Sequence, residues 1–97
     1  MEKEEILKEV TKIIRFYLPA RSYKIFLFGS WTKGTALEVS DLDIGILGRK
    51  ELPWDVLFRI KKAVEGIPTL RKTDIVDLKS VGKDFRENVL HEAKELK

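Results

Sequence analysis

The sequence of 97 residues contains no cysteine and one histidine, His91. The lack of cysteine excludes a disulfide framework, a thiolate zinc site and a cysteine nucleophile, and it is typical of a reducing cytoplasm. One imidazole makes no metal site, so we expect His91 to be a partly exposed helical residue and not a ligand or base. No apolar run approaches the roughly 20 residues of a membrane span, and the charged opening segment does not resemble a signal peptide. We therefore expect a cytoplasmic protein with no membrane partner.

Charged residues make up 36% of the chain, and 19 basic against 16 acidic side chains give a net charge of +3. Because lysines and glutamates are interspersed, the excess is interpreted as a solvated surface. No basic stripe or aromatic stacking platform is evident, so nucleic acid is not favoured as a partner. The hydrophobic content of 43% is near the globular average. We expect one compact domain over residues 1–97.

Hydrophobic spacing predicts alternating helices and strands. Predicted helices cover 3–18, the segment from Pro53 to Gly66, and 83–96; predicted strands cover 23–28, 42–47 and 72–78. A short helix is expected between the first two strands. This order, α-β-(short α)-β-α-β-α, predicts a small sheet covered by helices. Trp54, near the start of the second long helix, is expected in the core.

Asp41 and Asp43 stand at the start of the second predicted strand. Residues i and i+2 of a strand point to the same face, so the two carboxylates are expected side by side. A folded protein tolerates such repulsion best when a cation lies between the groups, and hard oxygen ligands suit Mg²⁺. A bare Asp-x-Asp is also common at polar strand edges. The pair therefore needs a second feature before it indicates a metal site.

Gly29 and Ser30 directly follow the first predicted strand and provide that second feature. A glycine there lets the backbone approach a ligand closely, and the following N–H groups can face an anion. Ser30 adds a hydroxyl and Lys33 a point charge. A hairpin-like approach of the two strands would place Gly29 beside Asp41 and Asp43. A phosphate cradle next to a carboxylate pair is much more specific than either feature alone.

The third predicted strand carries two further acids, Asp74 and Asp77. An apolar strand rarely carries an inward carboxylate unless that group is paired or metal-bound. The two acids are three positions apart and point to opposite faces, so only one of them can join the site. Arg71 and Lys72, just before Asp74, could contact the triphosphate, but solvated strand ends are the favoured interpretation. Three converging carboxylates beside a phosphate loop would satisfy two-metal nucleotidyl transfer.

These residues resemble the nucleotidyltransferase superfamily that includes DNA polymerase β and kanamycin nucleotidyltransferase. The family pattern is Gly-Ser, ten residues, then Asp-x-Asp, and the segment from Gly29-Ser30 to Asp41-Leu42-Asp43 matches it without an insertion. The resemblance covers nearly the whole chain and is strongest to the minimal nucleotidyltransferases, the MntA-type partners of HEPN-domain proteins. It implies a nucleotidyltransferase fold of the α/β (α+β) class, with a small mixed sheet and helices packed on it.

The resemblance also implies the roles of the site residues. Asp41 and Asp43 would bind two Mg²⁺ ions, and the third acid would be Asp74, with Asp77 as the alternative. The triphosphate of ATP or another NTP would lie against Gly29, Ser30 and Lys33. Many family members have arginine where this chain has Lys33, and lysine keeps the charge but loses bidentate phosphate binding.

The expected activity is transfer of AMP to a hydroxyl of a partner, by resemblance the tyrosine of a HEPN toxin, which makes the chain an antitoxin. The alternative is a non-catalytic antitoxin that neutralises its HEPN partner by binding. Apolar faces on the first and last predicted helices allow such an interface or a homodimer. Trp31, next to Ser30, is a candidate for contact with the nucleotide or the partner.

Overall fold

The computed structural model describes residues 3–29, 41–69 and 71–97. In chain order its elements are α1 (Lys3–Tyr17), β1 (Lys24–Phe28), β2 (Leu42–Leu47), α2 (Trp54–Glu65), β3 (Thr73–Asp77), α3 (Lys83–Glu92) and β4 (Lys94–Leu96). The alternation predicted from hydrophobic spacing is confirmed for the long helices and the three predicted strands. The short helix predicted between the first two strands falls outside the described residues.

The four strands form one mixed sheet in the order β3-β2-β1-β4. Strand β1 is antiparallel to β2, with Leu27 opposite Ile44, whereas β3 is parallel to β2, with Ile75 beside Ile44. The predicted fold class, a small mixed sheet with helices packed on it, is confirmed. The antiparallel pairing of β1 and β2 is also the hairpin-like approach that the candidate site requires.

One face of the sheet is apolar because alternate strand residues are aliphatic. Its buried side chains are Ile25, Leu27, Leu42, Ile44, Ile46 and Ile75. They form one cluster with the inward stripes of two helices: Ile6, Val10 and Ile14 of α1, and Ile60 and Val64 of α2. Each such side chain contributes roughly 1.5–3 kcal/mol through burial. This layer fixes the sheet, and with it the position of every residue on the opposite face.

The opposite face carries the residues at the alternate positions, including Asp43 and Asp74. Helix α3 covers part of this face, where the ring of Phe85 meets that of Phe28 edge to face, with 6.4 Å between centroids. Leu78 packs over Gly45, where a side-chain carbon, if one were present, would lie 2.7 Å from a Leu78 methyl. Both Asp43 and Asp74 remain partly exposed. The apolar contacts of this face therefore do not cover the two acids.

The prediction that the last helix runs to residue 96 is wrong. Helix α3 ends at Glu92, Ala93 is extended (φ −72°, ψ 152°), and Lys94–Leu96 form β4 along β1. Leu96 pairs with Ile25, and Leu96 also packs against the core. Three residues at the edge of β1 gain ladder hydrogen bonds that a last helical turn would not supply, so long-range pairing overrides local helical preference.

The prediction that Trp54 lies in the core is also wrong, because its side chain is 79% exposed. Trp54 is the first residue of α2, and the inward stripe of that helix is formed by later residues, chiefly Ile60 and Val64. One turn on, Phe58 is 51% exposed, and the ammonium of Lys62 lies 5.5 Å from its ring centroid. The outer face of α2 therefore presents two aromatic side chains. Among the described residues, no helix has the length and apolar character needed to cross a membrane.

Candidate functional site

Three carboxylates lie at the same end of the sheet. Asp43 and Asp74 are register partners on the parallel strands β2 and β3, so their side chains leave the same face on strands about 4.8 Å apart. Asp41 directly precedes β2, is exposed, and lies two positions before Asp43. Between them, Leu42 points into the core. The strand parity expected from the Asp-x-Asp pattern is therefore present in the structure.

The electrostatics show that these acids affect one another. Partial burial raises the pKa of Asp43 above its ordinary value, and the negative charges of Asp74 and then Asp41 raise it further. The ammonium of Lys72 lies 3.7 Å from an oxygen of Asp74, but both groups are largely exposed, so this ion pair contributes little. The site thus concentrates negative charge around Asp43.

Gly29 lies against Asp43, as the predicted approach of β1 and β2 requires. Its φ of +81° is in the left-handed region that favours glycine. A side-chain carbon at this position would lie 3.3 Å from the carboxyl carbon of Asp43 and closer still to one of its oxygens. The start of the predicted phosphate loop therefore directly adjoins the acids. Ser30 and Lys33, the other predicted phosphate ligands, lie outside the described residues.

Asp77, the alternative third acid, points away from Asp43. It is 5% exposed and is paired in register with Ile46, on the core side of the sheet. One of its oxygens accepts the backbone N–H of Leu52 at 2.7 Å, and the other accepts that of Lys79 at 3.0 Å. The structure thus brings Asp74, and not Asp77, beside Asp43. The hydrogen bonds of Asp77 could not be predicted from the sequence, because their donors are backbone N–H groups, which every residue except proline carries.

The donor set fits a hard divalent cation, although the carboxylates are not gathered into a closed ligand cluster. No three His, Cys, Asp or Glu side chains within residues 3–29, 41–69 and 71–97 are close enough together to hold a metal ion. Asp41, Asp43 and Asp74 nevertheless offer oxygen ligands only, and Mg²⁺ prefers one or two carboxylates supplemented by water and substrate phosphates. A cation would also relieve the repulsion that raises the pKa of Asp43. His91 is exposed on α3, as predicted.

We expect Gly29→Ala to impair nucleotide binding more than stability. The substitution places a methyl group against the Asp43 carboxylate and holds alanine at φ +81°, which costs about 1–2 kcal/mol. The measurement is the Kd for an ATP analogue together with the thermal midpoint. Gly82→Ala is the matched control, because a side chain there meets nothing within 4 Å. An unchanged Kd in Gly29→Ala would contradict the close approach of the ligand to this backbone.

The raised pKa of Asp43 predicts how stability depends on pH when no metal is present. The folded state holds this proton more tightly than the unfolded state, whose value is near 3.8. The resulting stabilisation is therefore complete below that value and is lost as pH rises through the folded pKa. In EDTA, the free energy of unfolding of the wild type minus that of Asp43→Asn should fall as pH rises above 3.8. Urea titrations over this range measure the difference, and a flat difference would contradict the charge coupling.

Residues 4–97 match the polymerase β nucleotidyltransferase family model. The chain is 33% identical over 85 residues to MntA of Haemophilus influenzae, which is named as a protein adenylyltransferase, and the match covers 88% of this chain and 73% of the relative. A protein of Methanocaldococcus jannaschii, likewise named as a protein adenylyltransferase, is 28% identical over 99% of both chains.

Two solved structures show the same fold. A minimal nucleotidyltransferase superposes with a TM-score of 0.72 at 30% identity, over 96% of this chain and 91% of that one. A toxin–antitoxin complex with AMP-PNP includes a chain that superposes with a TM-score of 0.67 at 27% identity, over 92% of this chain and 70% of that one. The fold predicted from the motif is therefore found both in a minimal nucleotidyltransferase and in a complex that contains a nucleotide analogue.

Proposed function

Because the chain belongs to the polymerase β nucleotidyltransferase family, we propose that it transfers AMP from ATP to a hydroxyl of a partner protein. The observation that carries this proposal is the pairing of Asp43 with Asp74 beside Gly29. Relatives named as protein adenylyltransferases and the AMP-PNP complex support the choice of nucleotide and of a protein acceptor. By the resemblance of its motif, the acceptor is a tyrosine of a HEPN toxin, and this chain is the antitoxin.

Each residue has a distinct part in this reaction. Asp41 and Asp43 would hold one Mg²⁺ against the triphosphate, and Asp74 would share a second with them. When bound, the two ions supply charge neutralisation at the phosphates and a lowered pKa of the attacking hydroxyl. Gly29 lets the triphosphate approach the backbone, with Ser30 and Lys33 as further phosphate ligands. Asp74 orients the acceptor hydroxyl and accepts its proton as the phosphorus–oxygen bond forms and pyrophosphate leaves.

The proposal is tested by incubating the chain with ATP labelled at the α-phosphate, Mg²⁺ and the protein encoded by the adjacent gene. We expect label on a tyrosine of that protein, and none when EDTA replaces Mg²⁺. Stoichiometric inhibition of the neighbour without label would contradict transfer and would support the non-catalytic antitoxin. The exposed aromatic side chains of Trp54 and Phe58 favour a binding surface in either case.

A further inference from the structure

A cavity of about 280 Å³ lies next to Asp74, between the last turn of α2 and the start of β3. We call it the β3 cavity. Three cations line it: Lys61 from α2, and Arg71 and Lys72 from the segment before β3. Sequence reasoning took the last two for solvated strand ends, but Arg71 is only partly exposed and its Nη1 atom is shielded from solvent. This basic segment therefore forms a wall of the cavity.

The charge of the β3 cavity suits an anionic ligand. Its lining carries the three cations against two carboxylates, those of Glu65 and Asp74. Each of these carboxylates already lies 3.7 Å from a lysine, Glu65 from Lys62 and Asp74 from Lys72. The ammonium of Lys61 has no ion pair among the described residues, and it is exposed at the mouth of the cavity. A further carboxylate could therefore bind Lys61 without displacing an ion pair among the described residues.

The order of the strands shows where the cavity lies relative to the triphosphate and the attacking group. Gly29 directly follows β1, Asp43 lies on the neighbouring β2, and Asp74 lies on β3, at the edge of the described sheet. If the triphosphate binds at Gly29 and Asp43, the acceptor hydroxyl that attacks it can approach from the side of β3. The cavity volume of about 280 Å³ is at the low end of the roughly 300–1,000 Å³ of sites that enclose small-molecule ligands, and it is enough for a side chain.

We propose that the β3 cavity binds an acidic side chain of the acceptor polypeptide and thereby positions the neighbouring hydroxyl beside Asp74. Lys61 binds the carboxylate, Arg71 adds positive charge to the wall of the cavity, and Thr69 and Thr73 line the same space. The cavity would then select acceptors that carry an acidic residue near the modified hydroxyl. This inference rests on the proposed transfer to a protein, and it identifies Lys61 as a positioning residue outside the metal and phosphate site.

Binding can be tested without nucleotide by titrating the ¹⁵N-labelled chain with two blocked hexapeptides that each contain one tyrosine. One peptide carries Asp and Glu beside the tyrosine, and the other carries Asn and Gln at the same positions. We expect the acidic peptide to shift the amide signals of Lys61, Thr69 and Thr73, and the neutral peptide to leave them in place. Equal shifts with both peptides, or none with either, would overturn the proposal, as would shifts of these signals with pyrophosphate but not with peptide.

Charge reversal provides the matched variants. We expect Lys61→Glu to weaken binding of the acidic peptide by about tenfold, because the substitution replaces an attraction with the repulsion of like charges. Lys8→Glu, an exposed lysine on α1, makes the same charge change elsewhere and should leave binding unchanged. In the transfer assay, Lys61→Glu should raise the KM for the acidic peptide and leave the KM for ATP unaltered. Equal effects of the two variants would overturn the role of Lys61.

The two proposals can fail separately. Peptide binding is measured without ATP, so a chain that binds the acidic peptide but transfers no label to the protein of the adjacent gene would refute adenylyl transfer and leave the β3 cavity as a peptide site. A chain that transfers label equally to the acidic and the neutral peptide would refute the role of the cavity and leave the transfer reaction in place.

Discussion

Asp43→Asn should reduce the rate of AMP transfer by about 10³-fold or more, because metal-ion catalysis contributes several kcal/mol of transition-state stabilisation and each 1.36 kcal/mol is a factor of ten. Asp43 is the central acid of the site, since it lies beside Asp74 in register and against Gly29. Asparagine has nearly the same shape but no charge, so it weakens metal binding without creating a cavity. The measurement is the initial rate of label transfer at saturating ATP and Mg²⁺.

The fold should survive this substitution. The charges of Asp74 and Asp41 act against an ionised Asp43, so its neutral replacement relieves repulsion in the metal-free protein. We therefore expect Asp43→Asn to be at least as stable as the wild type in EDTA at neutral pH, while Mg²⁺ stabilises the wild type more than the variant. Asp84→Asn, an exposed aspartate on α3, is the control and should retain full activity. Substantial transfer by Asp43→Asn would contradict the assignment of the metal site.

The sequence predicts those parts of the structure that depend on local spacing. The alternation in β2 places Leu42, Ile44 and Ile46 in the core, and it therefore places Asp43 on the other face. The same alternation in β3 places the side chains of Asp74 and Asp77 on opposite faces of the sheet. Because Gly29 directly follows one strand and Asp43 is the second residue of the next, their antiparallel pairing is enough to bring them together. The arrangement of the acids thus follows from strand periodicity and one correct pairing.

The features that sequence reasoning missed depend on contacts between distant segments. Strand β4 exists because Lys94–Leu96 reach the edge of β1, and the helical spacing of the tail contains no sign of that partner. Trp54 is exposed because the core under α2 is already filled by residues such as Ile60 and Val64. The β3 cavity needs α2 and β3 side by side, so the basic pair before β3 looked like an ordinary strand end.

Asp77→Ala should destabilise the protein by about 3 kcal/mol, because it leaves two backbone N–H groups without their acceptor and each buried unsatisfied donor costs about 1–3 kcal/mol. The buried carboxylate accepts the N–H of Leu52, just before α2, and that of Lys79, in the turn after β3. It therefore ties the start of a core helix to the end of β3. Asp77→Asn keeps one acceptor oxygen but turns a second donor towards an N–H group, so we expect an intermediate loss.

Asp74→Ala should behave in the opposite way, and the comparison separates the two acids that the sequence left as alternatives. Asp74 is partly exposed, and among the described residues its carboxylate has only the weak ion pair with Lys72, so its removal should change the free energy of unfolding little and abolish transfer. Asp77→Ala should lower the midpoint of urea unfolding but retain transfer per folded molecule, measured well below that midpoint. If Asp77→Ala instead lost transfer while keeping its stability, the third acid of the site would be Asp77, and the assignment of Asp74 from its register with Asp43 would be wrong.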